Sequence, residues 1–240
     1  MLEQTRHSLD PSTGLQAKRA VESVASFTDL PDLLLVERTR GRDTRAFETL
    51  MRRYNRRLYR ISRSILSNDE AAEEAVRAAY VRAFANLDRY EPAGKFGAWL
   101  ARLAFNEALT LRRHAPSGMP LSAVPQNSDA SAAESADTAI GKQQIEQAID
   151  ALPEVFRTVL VLRVVEDLSG VEVAVCLGLN ETTVRTRLFR AQQRLKVEVA
   201  RALRAEPFNI FELAPERCDR IVTQVFSKLH TVTPVVSESR

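Results

Sequence analysis

The sequence predicts an all-α fold: two helical domains joined by a flexible linker, with a short C-terminal helical extension. Three observations predict it. Apolar residues recur every three or four positions along most of the chain, the period of a helix with one buried face. Glycine and proline, which interrupt helices, number only 8 and 10 among 240 residues. The helical period then breaks at residues 114–138, where HAPSGMPLSAVPQNSDASAAESADT carries three prolines and many Ser, Ala and Asp. Such a stretch buries too little apolar surface to offset the entropy of ordering it, so it reads as a flexible, acidic linker.

Residues 1–30 are mixed and polar and read as a flexible leader, without the apolar core of a secretion signal. The first domain spans 31–113. Phe47, Leu50, Met51, Tyr54, Leu58, Ile61 and Ile65 draw one apolar stripe on a long helix. Within Arg38–Arg63, ten arginines face two acids, Asp43 and Glu48. Most of these arginines read as a solvated face, and some as groups that attract phosphate. Ser67 with Glu70 suits a capping box for the next helix, on which Val76, Tyr80, Ala83, Phe84 and Leu87 repeat the spacing. After the turn-rich Asp88–Gly94, a third helix carries Phe96, Trp99, Leu100, Leu103, Ala104, Ala108 and Leu111. Phe96 and Trp99 fall on the stripe and read as core; Tyr90, in the loop, suits core or ligand equally.

The second domain spans 139–204. Pro153 suits a first helical position, and Val155, Val159 and Leu162 follow at helical spacing. Ser169 and Glu172 make a capping box, Gly178 ends a very short helix, and Asn180 caps the next. This is the spacing of a helix-turn-helix, whose second helix enters the major groove. Val184, Leu188, Ala191 and Leu195 face inward, while Thr182, Thr183, Arg185, Thr186 and Arg190 lie on the other face. Short hydroxylated side chains permit close approach, and arginines pair two donors with guanine or grip phosphate. From Glu181 to Arg204 there are seven basic residues and two acids. A basic amphipathic helix alone would read as a solvated surface; two caps and a turn glycine at this spacing favour DNA.

Residues 205–240 form the extension. Pro215 opens a helical pattern, with Cys218, Ile221, Val222, Val225, Phe226 and Leu229 on one stripe, expected to dock on the second domain or on a partner. Cys176 and Cys218 read as small buried apolar residues, with a thiol switch open if folding brings them together. Two cysteines so far apart build no disulfide framework and fit a reducing cytoplasm.

Several classes are excluded at this level. No apolar run approaches the roughly 18 residues of a membrane span. Three dispersed histidines and two cysteines suit no metal cluster. No nucleophile–base pair or phosphate-cradling glycine loop is visible, so neither an enzyme nor a cofactor is expected. The net charge of +3 is too small to indicate nucleic acid by itself; its concentration on particular helices matters more.

The segment LPEVFRTVLVLRVVEDLSGVEVAVCLGLNETTVRTRLFRAQQRL resembles region 4 of the extracytoplasmic-function (ECF) sigma factors, of the sigma-70 family, subunits of RNA polymerase. FGAWLARLAFNEAL is similar to the family's F-x-x-W-L-x-x-I-A-x-N pattern in region 2, and LVERTRGRDTRAFETLMRRY resembles the segment before it. The resemblance implies promoter DNA and core RNA polymerase as partners, with an anti-sigma factor as regulator. It implies minus-35 contacts from Thr182, Thr183, Arg185, Thr186 and Arg190, and minus-10 contacts from Asn86, Tyr90 and Asn106. By the same resemblance Glu73, Glu74 and Arg77 belong to the surface that docks on polymerase. There the family usually carries a stretch like D-x-V-Q-E, whereas Arg77 and Ala78 replace its Gln and Glu here. That departure implies a weaker or compensated polymerase contact. It also leaves open a sigma-like decoy that binds an anti-sigma factor without supporting transcription.

Overall fold

The computed structural model describes residues 27–66, 68–91, 95–114, 136–195 and 210–232. Every regular element among them is helical, as the sequence predicts: α1 (Asp32–Arg40), α2 (Thr44–Leu66), α3 (Asp69–Ala85), a 3-10 turn (Leu87–Arg89), α4 (Phe96–His114), α5 (Ala136–Asp150), α6 (Glu154–Leu160) extended by a π turn (Val161–Val165), α7 (Gly170–Leu177), α8 (Glu181–Arg194) and α9 (Pro215–Val232). Most of the expected linker, 115–135, lies outside the described residues, as do 1–26 of the expected leader and Ser67.

The chain divides into two compact units between Leu50 and Met51. In the first, Phe27 is buried, with the Arg38 and Arg45 guanidinium carbons 4.9 and 5.1 Å from its ring centroid. Ordered structure thus reaches into the stretch read as a leader, because an aromatic face attracts two cations there.

The second unit holds most of the first domain together with the second domain and the extension. Ala72, Val76, Ala79 and Ala83 give α3 a buried face of small side chains, which lets α4 pack closely on it. Leu100, Ala101, Ala104 and Ala108 bury the matching stripe of α4. Gly97 is required by that approach: a Cβ there would stand 2.5 Å from Tyr54 Cε1. Buried Tyr80 donates its hydroxyl to the Met51 carbonyl at 3.0 Å, so the core leaves that polar group satisfied.

Two helix starts differ by a residue from expectation. The α3 cap is Asn68, whose extended backbone aims its carboxamide at the Ala71 amide, 2.9 Å away, rather than Ser67. Pro153 precedes α6 as its N-cap residue, with φ −53° and a ψ of 137° that turns it out of the helix, instead of opening the first turn.

Arg38, Arg42, Arg45, Arg52, Arg53 and Arg56 are exposed, as expected of a mostly solvated basic stretch, but its C-terminal arginines are not. Buried Arg60 and half-buried Arg63 tie the two helical domains together. Arg60 pairs with Glu166 at 2.7 Å and donates to the Ile210 carbonyl; Arg63 forks onto Asp150 at 3.0 and 2.8 Å and also reaches Asp69. Arg57 adds a second contact to Glu166 at 3.1 Å. From the second domain, Arg157 donates to the Ser64 carbonyl at 2.6 Å. The arginines carry charge in a period that also faces acids from helices far along the chain, which a local reading of α2 cannot see.

The extension docks elsewhere than expected: α9 packs on α3 of the first domain. Ile221, Val222, Val225 and Leu229 are buried, each contributing about 2 kcal/mol of apolar transfer. Their flanking cations meet acids on α3, which fixes where the stripe lands.

Candidate nucleic-acid interface

The helix-turn-helix is built by local hydrogen bonds. Ser169 Oγ accepts from the Glu172 amide at 3.2 Å, and the Glu172 carboxylate accepts from the Ser169 amide at 2.9 Å, a reciprocal box that starts α7. Gly178 ends it with φ 65°, ψ 37°, in the left-handed region. A Cβ at Gly178 would meet nothing within 4 Å, so the glycine answers a backbone need and not a crowded one. Asn180 Oδ1 then accepts from the Thr183 amide at 2.7 Å and starts α8. The Glu172 carboxyl is held down to about 2, first by a hydrogen bond from Lys95 and then by the Ser169 amide and hydroxyl.

Inside, Val184, Ala191 and Leu195 are buried and anchor α8 against α6 and α7. Outside, Thr182, Arg185, Thr186 and Arg190 are exposed, and Thr183 is half-buried beside the cap. The Thr186 hydroxyl donates to the Thr182 carbonyl at 2.9 Å, which keeps that side chain close to the helix. Arg185 reaches Glu181 only at 3.9 Å, a solvent-exposed contact that holds the guanidinium loosely. Phe189 stands out on the same helix at 60% exposure.

In the first domain the three residues expected to meet a melted base are placed differently. Asn106 is exposed on α4. Asn86 caps the end of α3, half-buried, its Nδ2 donating to the Arg82 carbonyl at 2.8 Å. An Arg82–Glu107 ion pair ties the two helices beside these asparagines. Tyr90 is buried, edge-on to Phe96 at 5.4 Å and tilted against Trp99 at 5.1 Å. In this conformation its ring belongs to an aromatic cluster with Phe96, Trp99 and Tyr54.

Glu73, Glu74 and Arg77 lie together on α3. Glu73 is only 3% exposed. Arg217 Nε donates to it at 2.5 Å, Arg220 at 2.7 and 3.1 Å, and Arg77 at 3.5 Å. Glu74 accepts from Arg77 at 2.6 Å and from Lys228 at 3.1 Å. Burial pushes its pKa up, but these two cations outweigh burial and hold it below the ordinary glutamate value. Arg217 also reaches Asp69 at 3.0 Å and lies over the Tyr59 ring at 5.0 Å. Sequence reasoning missed Arg217 and Arg220. Their one signal is position, in PERCDR at the polar edge of the α9 stripe.

A capped helix-turn-helix with an exposed Thr/Arg face, together with a helical domain that carries exposed Asn106 and a paired acidic cluster on α3, defines a two-module helical DNA-binding protein. The sigma-70 region 2 family model matches residues 50–116, and the sigma-70, region 4 model matches residues 142–195. The ECF RNA polymerase sigma factor SigE of Mycolicibacterium smegmatis is 30% identical over 163 residues, which cover 65% of this chain and 62% of that protein. The ECF RNA polymerase sigma factor SigW of Bacillus subtilis is 27% identical over 176 residues, 68% of this chain and 94% of its own length. Among solved structures, CnrH in complex with the cytosolic domain of CnrY has a similar fold, with a TM-score of 0.52 and 23% identity over 73% of this chain and 98% of that one. The chain belongs to the sigma-70 family, in its ECF group. No helix among the described residues is long and apolar enough to cross a membrane.

Proposed function

We propose that this chain binds core RNA polymerase and directs it to promoters, with α8 reading the minus-35 element and the first domain capturing a minus-10 base. The observation that carries the reading is the outer face of α8: Thr182, Arg185, Thr186 and Arg190 are exposed on a helix whose start is fixed by the Asn180 cap. Thr183 completes the set at the edge of the groove-facing surface. On α4, exposed Asn106 offers an amide to a base edge, and Asn86 stands at the neighbouring helix end. Tyr90 would join them only by leaving its aromatic cluster, a rearrangement that stacking on an unpaired base could offset. Glu73, Glu74 and Arg77 are the proposed polymerase-docking group. CnrH is described in complex with the cytosolic domain of CnrY, and a regulatory protein of the anti-sigma kind is proposed as this chain's further partner. The intact caps and open face of α8 favour a promoter-reading factor over a decoy, which has no need of that face.

The test is transcription in vitro by core polymerase with the full chain on a promoter library. Arg185→Ala with Arg190→Ala is expected to lower promoter-specific transcription by about tenfold or more, since a good arginine–guanine pair is worth about 1–3 kcal/mol. Unchanged output from the selected promoter would remove α8 from the reading. Permanganate footprints of Asn106→Ala address the other module: unaltered melting of the minus-10 bases would remove Asn106.

A further inference from the structure

We propose that α9 is a built-in cover for the acidic face of α3: in the free chain it occupies the Glu73–Glu74 surface, and polymerase docks there only after α9 lifts away. The proposal rests on the reading of Glu73 and Glu74 as polymerase-docking residues, and its test separates the two.

Four observations carry it. Glu73 is a carboxylate at 3% exposure, and its nearest cations, Arg217 and Arg220, both come from α9. Burying a lone carboxylate is costly, so the acid and the helix that covers it hold each other in place. Glu74, on the next position, is engaged by Lys228 two turns and more further along the same helix. The contact is therefore a line of charge pairs and not a single bridge. Beside that line, Ile221, Val225 and Leu229 bury an apolar stripe. Finally, Arg52 with Asp219 at 2.6 Å and Asn55 with Cys218 Sγ at 2.9 Å fasten the start of α9 to α2. A partner seeking the carboxylates of Glu73 and Glu74 meets them already neutralised and, at Glu73, out of reach.

Arg77 fits the same device. It stands where the family usually carries a glutamine, and it pairs with both acids from within α3. Three α9 cations together with Arg77 thus saturate two carboxylates, which suits an intramolecular latch. A latch of this kind lowers apparent affinity by the fraction of chains in the open form, without altering the docking surface itself.

The test uses the full chain, core RNA polymerase and alkylation of Cys218, whose sulfur is held by Asn55 in the docked state. Arg217→Ala, Arg220→Ala and Lys228→Ala together remove the α9 cations. The expected result is faster Cys218 alkylation and about tenfold tighter polymerase binding, the gain of a latch open in about one chain in ten. In the unaltered chain, polymerase itself is expected to speed Cys218 alkylation. Equal affinity of the two chains, with Cys218 reacting at the released rate in the variant, overturns the cover. If Cys218 stays slow in that variant, Val225→Asp in the apolar stripe releases α9 instead, and equal affinity there overturns the cover likewise. The docking reading has its own arm: Glu73→Ala with Glu74→Ala in the released chain is expected to abolish the gain. A gain that survives shows that α9 restrains binding at another place, and the assignment of Glu73 and Glu74 falls.

Discussion

Burial pushes the Cys176 thiol up to about 12, although Arg102 and Arg57 pull the other way. Thiolate is the reactive form, so near pH 8 roughly one molecule in ten thousand carries it at this position. Cys176 is therefore expected to resist iodoacetamide in the native chain at that pH and to react fully in denaturant, as read by peptide mass mapping. Rapid native labelling would mean that α7 opens far more often than its packing suggests. Both cysteines are free, and Cys218 is half-buried, so the two thiols differ in access as well as surroundings. The sequence reading of Cys176 as a small apolar core residue agrees with its burial in α7. Cys218 was harder to place, because its neighbour Asn55 comes from the other end of the chain.

At the scale of the element, the helix-turn-helix depends on two exposed turn residues, Gly178 and Asn180. Asn180→Ala removes the side-chain acceptor for the Thr183 amide and is expected to cost about 1 kcal/mol. Gly178→Ala forces a Cβ into a left-handed backbone and is expected to cost about 1–2 kcal/mol. Urea unfolding measures both, and Gly178→Asn should recover part of the second loss, since Asn tolerates that region. If Gly178→Ala is neutral, the turn can relax to negative φ and the glycine is not a requirement. These features were legible in sequence because a cap and its amide lie three residues apart. The docking of α9 was not, because Arg217 meets Glu73 across 144 positions and any acidic face could have served. That Arg60 and Arg63 are the exceptions in a mostly exposed basic stretch is illegible for the same reason: their acids, Glu166 and Asp150, come from the second domain. Tyr90 follows a different rule. It borders a loop, yet Phe96 and Trp99, in the first turn of α4, provide an aromatic socket that folds it inward.

Over the whole molecule, acid should loosen the chain through carboxylates that join distant segments. Asp69 is pushed up by burial, but Arg217, the Tyr59 hydroxyl and Arg63 together hold it below its ordinary 3.8. Glu74 is held below its ordinary 4.5 by Arg77 and Lys228, and Glu172 is held at about 2 by Lys95 and Ser169. Each folded-state value lies below that of the unfolded chain. The stability they contribute is thus fully present above the unfolded values and is lost as pH falls toward the folded ones. Tm is expected to be flat above about pH 5.5 and to fall below about pH 4.5, where the unfolded chain takes up protons first. Removing Arg217 and Lys228 by Ala substitution takes away partners of Asp69 and Glu74, so the acid limb of Tm against pH should become shallower. Lys95→Ala should raise the Glu172 pKa from about 2 toward its ordinary value, readable from carboxyl chemical shifts, while leaving the Asp69 and Glu74 share of the acid limb in place. An acid limb of unchanged slope in the chain lacking Arg217 and Lys228 would mean that α9 is not bound to α3 by these charges in solution, and that the apolar stripe alone holds it.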